Sequence, residues 1–300
     1  MWADPKSYPF KSGDFYLGVA GKKEVGITTE RHAITFAGAG AGKGAAAMSP
    51  NLLRWPHNAL VIDPKAEAVE ITASHRQEMG QNVYVVDPFV EAKIPDELKA
   101  SYNPLDALNP RSLTIKEDIG TISDGIIMRP DPRAAHWDDG AKTVVAGLIA
   151  YVLMTEKKPK RNLLTVRAIL REEALLQDVI PKLRELSGCS GLCQAAYGAL
   201  AAKEGDYFLS NAQKNTEWLD TKSMAKVLSR STFKLSELKE GKATVYLVLP
   251  AKYIGEHGRF LRLFVRCGID AMASRTADGK LRGEQCLFIL DEFFALGYID

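Results

Sequence analysis

Cysteine is scarce in this chain: four in 300 residues, too few for a disulfide framework. Cys189 and Cys193 make a single C-x-x-x-C with no second Cys/His pair to complete a zinc set. Cys267 and Cys286 lie in apolar stretches that read as core. Long apolar runs are missing too. The longest, Val144–Met154, is about half of the ~20 residues that a membrane-spanning helix needs, and Lys142 and Glu156 flank it. The opening residues Met1-Trp2-Ala3-Asp4-Pro5-Lys6 contain no apolar h-region, so no secretory signal is expected there. A formal net charge of +2 demands neither nucleic acid nor an acidic surface as partner, so any such contact must come from local clusters. There is no repeat of 20–50 residues and no low-complexity tract beyond one Gly/Ala loop. With 46% hydrophobic and 25% charged residues, disorder, collagen and mucin-like stalks are excluded, and the cytosol is the default compartment.

The first third alternates short apolar runs with helical patterns. Ala33–Ala37, Ala59–Ile62 and Val83–Val86 read as strands, and Gly44–Leu53 and Ala66–Met79 read as the helices between them. Strand–helix–strand–helix–strand predicts βαβ units and a mostly parallel sheet, and the nearly all-apolar strands suit a sheet covered on both faces. Trp55-Pro56-His57-Asn58 marks a turn before the second strand. From about Thr114 to Ser229 the signals are helical: Trp137–Met154, Leu163–Leu170, Ala174–Leu186, Ala195–Lys203 and Asn211–Leu228, with joints at Asp131-Pro132 and Lys157–Lys160. Strands return at Thr244–Leu249 and Cys286–Leu290, with the amphipathic helix Arg259–Ser274 between them. The expected fold class is α/β: residues 1–112 and 232–300 form one α/β domain, the one that carries the nucleotide-binding motifs described next, interrupted by an all-helical insertion at 113–231.

The strand expected at Ala33–Ala37 runs into Gly38-Ala39-Gly40-Ala41-Gly42-Lys43-Gly44-Ala45 and then a helix. Such a loop turns backbone N–H groups toward a phosphate, the helix N-terminus adds positive dipole, and Lys43 reaches the β- and γ-phosphates. The strict G-x-x-x-x-G-K-[ST] pattern fails twice: Ala37 replaces the first glycine, and Gly44 replaces the hydroxyl that would meet magnesium. A flexible Gly/Ala linker is the competing explanation. The second element is Cys286–Leu290 followed by Asp291-Glu292, a buried strand ending in two carboxylates. In phosphate-loop ATPases a carboxylate in that place holds magnesium and an adjacent Glu polarises the attacking water. Alone, the pair also fits a solvated strand end; together, the two elements point to ATP with magnesium as the ligand. Without a hydroxyl at Gly44, magnesium would rest on Asp291, phosphates and waters, which suits an ion that takes few protein ligands.

These residues carry a resemblance. Gly38–Gly44, Asn51-Leu52-Leu53, Trp55-Pro56, Val61-Ile62-Asp63-Pro64-Lys65, Val86-Asp87-Pro88-Phe89, Tyr102-Asn103-Pro104-Leu105, Tyr246–Pro250 and Leu290-Asp291-Glu292-Phe293 follow in the order seen in TraG/TraD-type coupling proteins of type IV secretion and conjugation. The chain resembles that family from about Leu17 onward. The resemblance implies a RecA-like motor with an all-helical insertion, in a ring-forming, homo-hexameric ATPase. It also implies recruitment of a relaxase or effector and transfer of single- or double-stranded DNA through type IV secretion channel components. Its place would be the cytoplasmic face of the bacterial inner membrane. Glycine after the loop lysine is common in the family, whereas Ala37 departs from it. Family members usually begin with membrane helices and continue past the Asp-Glu strand, so the chain is expected to be a fragment, its membrane contact supplied by an absent N-terminal anchor or a partner.

Other residues admit two roles. Asp63 and Lys65 either sense a γ-phosphate or belong to an ordinary strand-to-helix turn, with Asp63 as cap; Asp87-Pro88 reads as a turn. Arg259, Arg262 and Arg266 share one helix face, either a stripe toward DNA phosphates or a neighbouring subunit's nucleotide, or a solvated face. The cluster Lys157, Lys158, Lys160 and Arg161 follows a helix end, where the dipole attracts cations. Trp137 and Trp218 read as core or helix-packing residues. Two competing functions remain: a recognition module without turnover that docks cargo on Thr114–Ser229, and an FtsK/HerA-type DNA pump, against which the large helical insertion argues.

Overall fold

The computed structural model describes residues 4–29, 31–38, 40–129, 133 and 135–297. Loop residue Ala39 and the Asp131-Pro132 joint lie outside the described residues. The chain opens with an antiparallel hairpin, β1 (Phe15–Ala20) and β2 (Lys23–Ile27), whose two-residue turn places Gly21 at φ 68°. Glycine alone takes that conformation at no steric cost. A helical run follows, with a wide π turn at Gly44–Met48 and then α1 (Ser49–Arg54). Next come β3 (Asn58–Ile62), α2 (Glu67–Glu78) and β4 (Asn82–Val86). Helices fill the interval between β4 and the next strand, beginning among the described residues with α3 (Ile115–Ile126), α4 (Ala135–Thr155), α5 (Leu163–Arg171), α6 (Glu173–Glu185), α7 (Leu192–Ala201), α8 (Gly205–Thr216) and α9 (Lys222–Leu228). The short α10 (Glu237–Glu240), β5 (Ala243–Leu247), α11 (Ile254–Ala273) and β6 (Cys286–Leu290) complete the order.

β3, β4, β5 and β6 form one parallel sheet in the order β4-β5-β3-β6. Side chains alternate across it as the strand period requires. Leu60, Ile62, Val86, Val245 and Leu247 enter a core shared with α3, α4 and α11. Ala59, Val61, Val83, Val85 and Tyr246 enter a second core with Leu52 of α1 and Val69 and Ala73 of α2. Both faces are thus covered, which is why these strands carry almost no polar residues. The helices α3–α9 share the first core with the sheet rather than enclosing a separate one.

The strand expected at Ala33–Ala37 is not one. This segment pairs with nothing in the sheet, which ends at β6, and Ile34 and Phe36 are 75% and 86% exposed. A strand exists through its neighbour's hydrogen bonds, and no neighbouring strand flanks this segment among the described residues. The helix expected over Asn211–Leu228 is interrupted: α8 stops at Thr216, a 3-10 turn occupies Glu217–Asp220, and α9 restarts where the Thr221 side chain accepts from Met224 N–H. The helix expected from Arg259 begins earlier, at Ile254, after a 3-10 turn at Ala251–Tyr253. Trp218 is buried as expected, but Trp137 is 37% exposed, its ring against Tyr207 with centroids 5.1 Å apart. Arg161 donates to the Glu156 carbonyl just past the end of α4, the arrangement that the helix dipole favours.

Candidate phosphate-binding site

The register aligns the carboxyl ends of the parallel strands. Ile62 pairs with Leu290 on one side and with Leu247 on the other, so Asp63 and Asp291 leave the sheet at the same level. Ligands of open α/β sheets collect at this edge.

The loop leading there holds two of its glycines in left-handed backbone. Ala41 N–H donates to the Gly38 carbonyl, and Gly40 and Gly42 stand at φ 74° and 80°, conformations that L side chains rarely adopt. At Gly38, Gly40, Gly42 and Gly44 a Cβ would meet open space, so these glycines are not there to admit packed side chains. Ala46 N–H closes onto the Gly42 carbonyl at 2.8 Å, and the helical run Gly44–Arg54 begins with its positive end at the loop. Ala41 and Ala45 are exposed on that rim. Lys43 Nζ stands 3.6 Å from Asp291 Oδ1, both side chains partly open to solvent. The loop cation and the strand-end carboxylate therefore meet, although they come from opposite ends of the chain.

Glu292 follows at φ 55°, a left-handed conformation that costs a non-glycine residue about 1 kcal/mol or more. Its carbonyl accepts from Ala295 N–H at 2.8 Å, opening the 3-10 turn Phe293–Leu296. Asp63 is nearly fully buried, and its Oδ2 accepts Val69 N–H at 2.8 Å in the first turn of α2. Ala66, not Asp63, stands at the N-cap of α2. Burial pushes the Asp63 carboxyl up to about 6, against the lowering pull of the backbone N–H bonds. Lys65 is exposed and makes no ion pair among the described residues. Asp87 is a turn residue, accepting from Phe89 and Ala92 N–H.

The arginine stripe on α11 is not a solvated face: Arg262 is buried, and Arg259 and Arg266 are half-buried. Arg262 is 5% exposed and donates to the carbonyls of Asp124 and Leu296. Arg259 donates to Asn215 Oδ1 and Arg266 pairs with Asp124. α3, α8 and the Phe293–Leu296 turn pack against the face on which these arginines lie.

Two supporting residues carry no chemical motif. Asn51 of α1 is buried, and its amide accepts from Tyr16 N–H while donating to the Tyr16 and Ala47 carbonyls, fastening the hairpin to the helix behind the loop. Arg76 of α2 is fully buried and donates to the carbonyls of Leu52, Trp55 and His57, to Thr244 Oγ1 and to Gln81 Oε1. It clamps the turn between α1 and β3. A helix-period reading places Arg76 as an ordinary polar position, and Asn51 enters the sequence reading only as part of the family resemblance.

The donor set fits a nucleotide with a hard cation: loop N–H groups and Lys43 would meet phosphate oxygens, and Asp291 would hold magnesium with waters. The sheet, the loop and the strand-end carboxylates define a RecA-like, phosphate-loop nucleotide-binding fold. A family model described as type IV secretory system conjugative DNA transfer matches residues 3–300, and the chain belongs to that family. It is 28% identical to the conjugal transfer protein TraG of Rhizobium radiobacter over 278 residues, covering 89% of this chain and 42% of that protein. The chain thus spans less than half the length of this relative. Among solved structures it resembles the plasmid coupling protein TrwB in complex with the GTP analogue GDPNP, with a TM-score of 0.60 at 12% identity over 86% of this chain and 55% of that one. It also resembles TrwB in complex with ADP and Mg2+, with a TM-score of 0.50 at 10% identity over 83% and 59% of the two chains.

Proposed function

We propose that this chain is the nucleotide-binding part of a type IV secretion coupling protein that hydrolyses ATP to move DNA or a nucleoprotein during conjugative transfer. The meeting of Lys43 and Asp291 carries the reading. Lys43 neutralises β- and γ-phosphate charge, Asp291 holds the metal, and Glu292, presented by its left-handed turn, orients the attacking water. Bound magnesium supplies charge stabilisation on the transferring phosphoryl group. Gly40 and Gly42 let the backbone N–H groups face the phosphates, and the helix that follows adds its dipole.

The proposal extends to the whole protein. The inserted helices α3–α9 receive a relaxase or effector, and the ring is a homo-hexamer that engages DNA and the secretion channel. No helix among the described residues is long and apolar enough to cross a membrane. Attachment to the cytoplasmic face of the inner membrane is assigned to another segment or a partner. The family membership and the likeness to solved coupling-protein structures support this assignment.

Binding of a fluorescent ATP analogue with magnesium, for the chain and for Lys43→Ala, is the test. Saturable binding weakened at least tenfold by the substitution is expected; equal binding by the two would remove Lys43 from the site.

A further inference from the structure

Arg262 joins two helix ends. Asp124 lies in the last turn of α3, where carbonyls have no partner inside the helix, and its carbonyl accepts from Arg262 Nε at 3.0 Å. The Leu296 carbonyl closes the 3-10 turn that begins directly after Glu292, and it accepts from Arg262 Nη1 at 2.8 Å. One buried guanidinium thus meets the negative end of α3 and the end of the turn behind the Asp291-Glu292 pair. Asp124 also receives Lys142 of α4 at 2.7 Å and Arg266 of α11 at 3.5 Å on its two carboxylate oxygens.

The packing around this junction has no slack. A Cβ on Gly258 of α11 would lie 3.1 Å from the Ala295 carbonyl, and one on Gly125 of α3 would lie 2.9 Å from Leu263 Cα. α11 is therefore held closely against both elements that Arg262 bridges. Leu296 is fully buried, so the turn is fixed at its far end, and Glu292 keeps its left-handed backbone against strain.

We propose that Arg262 is a positioning residue for Asp291 and Glu292, and that through Asp124 it passes the state of the nucleotide site to the inserted helices. The second half rests on the nucleotide reading above; the first does not. When ligand draws Asp291 and Glu292 into place, a shift of the turn is carried by Leu296 to Arg262. From there the C-terminal end of α3 receives it, and Lys142 extends the connection to α4.

Hydrogen exchange separates the two parts. In the nucleotide-free chain, Arg262→Gln should speed exchange of the Ala295 and Gly297 amides about tenfold or more, because both are bonded within the turn that Arg262 anchors. Amides of β3 should be unchanged, and Arg262→Lys, able to reach one carbonyl, should fall between. Unchanged exchange at Ala295 and Gly297 in both variants would overturn the positioning role. With ADP and magnesium added, the wild-type chain should gain protection at the end of α3, near Asp124–Ile127. Arg262→Gln should lose that gain while still binding ADP through Lys43, with the magnesium-dependent part of its affinity reduced about tenfold. Equal α3 protection in both chains would overturn the transmission. Failure of the wild-type chain to bind ADP would remove the nucleotide reading and the transmission with it, and the nucleotide-free arm would still decide whether Arg262 sets the turn.

Discussion

The buried carboxyl of Asp63 gives a prediction whose sign and size follow from its surroundings. Burial lifts it from an ordinary 3.8 to about 6, because desolvation outweighs the N–H bonds from Val69, Lys65 and Ala68. A folded value above the unfolded one means that the folded chain holds the proton more tightly. The stability that protonated Asp63 contributes is complete below about pH 4 and is lost as pH rises through about 6. A difference of about two units corresponds to about 3 kcal/mol. Asp63→Asn removes the ionisation while leaving an oxygen to accept Val69 N–H. In urea unfolding the variant should be the more stable at pH 8, by up to about 3 kcal/mol, with the gap closing between pH 6 and pH 4. A gap that does not change with pH, or a wild-type chain more stable at pH 8, would refute the reasoning.

Three further substitutions test the scaffold. Asn51→Ala strips Tyr16 of the partner of its N–H and C=O and should cost about 2–4 kcal/mol in the urea midpoint, with faster amide exchange at Tyr16. Gly147→Ala places a Cβ 2.2 Å from Ala196 Cβ and 2.7 Å from the Leu192 carbonyl, and the strained contact between α4 and α7 should cost about 1–3 kcal/mol in thermal unfolding. Arg76→Met takes the guanidinium donor from the Leu52 and Trp55 carbonyls, and a loss of about 3 kcal/mol or more is expected by the same assay.

Patterns that depend on a residue's own burial were legible in the chain. Ala59–Ile62 and Val83–Val86 are apolar because a doubly covered parallel sheet leaves them no polar face, and they fall within β3 and β4; Cys286–Leu290 forms β6, but at the end of the strand order it is half-buried rather than buried. Ala33–Ala37 is equally apolar, yet it has no strand to pair with; composition cannot report a missing neighbour. The hairpin was there to be found, since Gly21-Lys22 sits between two β-rich runs, but Asp14 and Lys23-Glu24 dilute the alternation. In the site, Lys43 and Asp291 were nameable from the motifs that hold them, whereas their 3.6 Å approach depends on the sheet register. Arg262 was misplaced because helix spacing puts three arginines on one face without saying that α3 and the Phe293–Leu296 turn lie on top of it.

The central claim is that Lys43 and Asp291 act on one bound nucleotide. A double-mutant cycle with Lys43→Ala and Asp291→Asn, read by the affinity for ADP with magnesium, tests it most directly. Each single change should weaken binding, and the double variant should lose clearly less than the sum, because the two groups serve the same phosphates and metal. Losses that add within error, or an Asp291→Asn chain that binds as the wild type does, would contradict the claim.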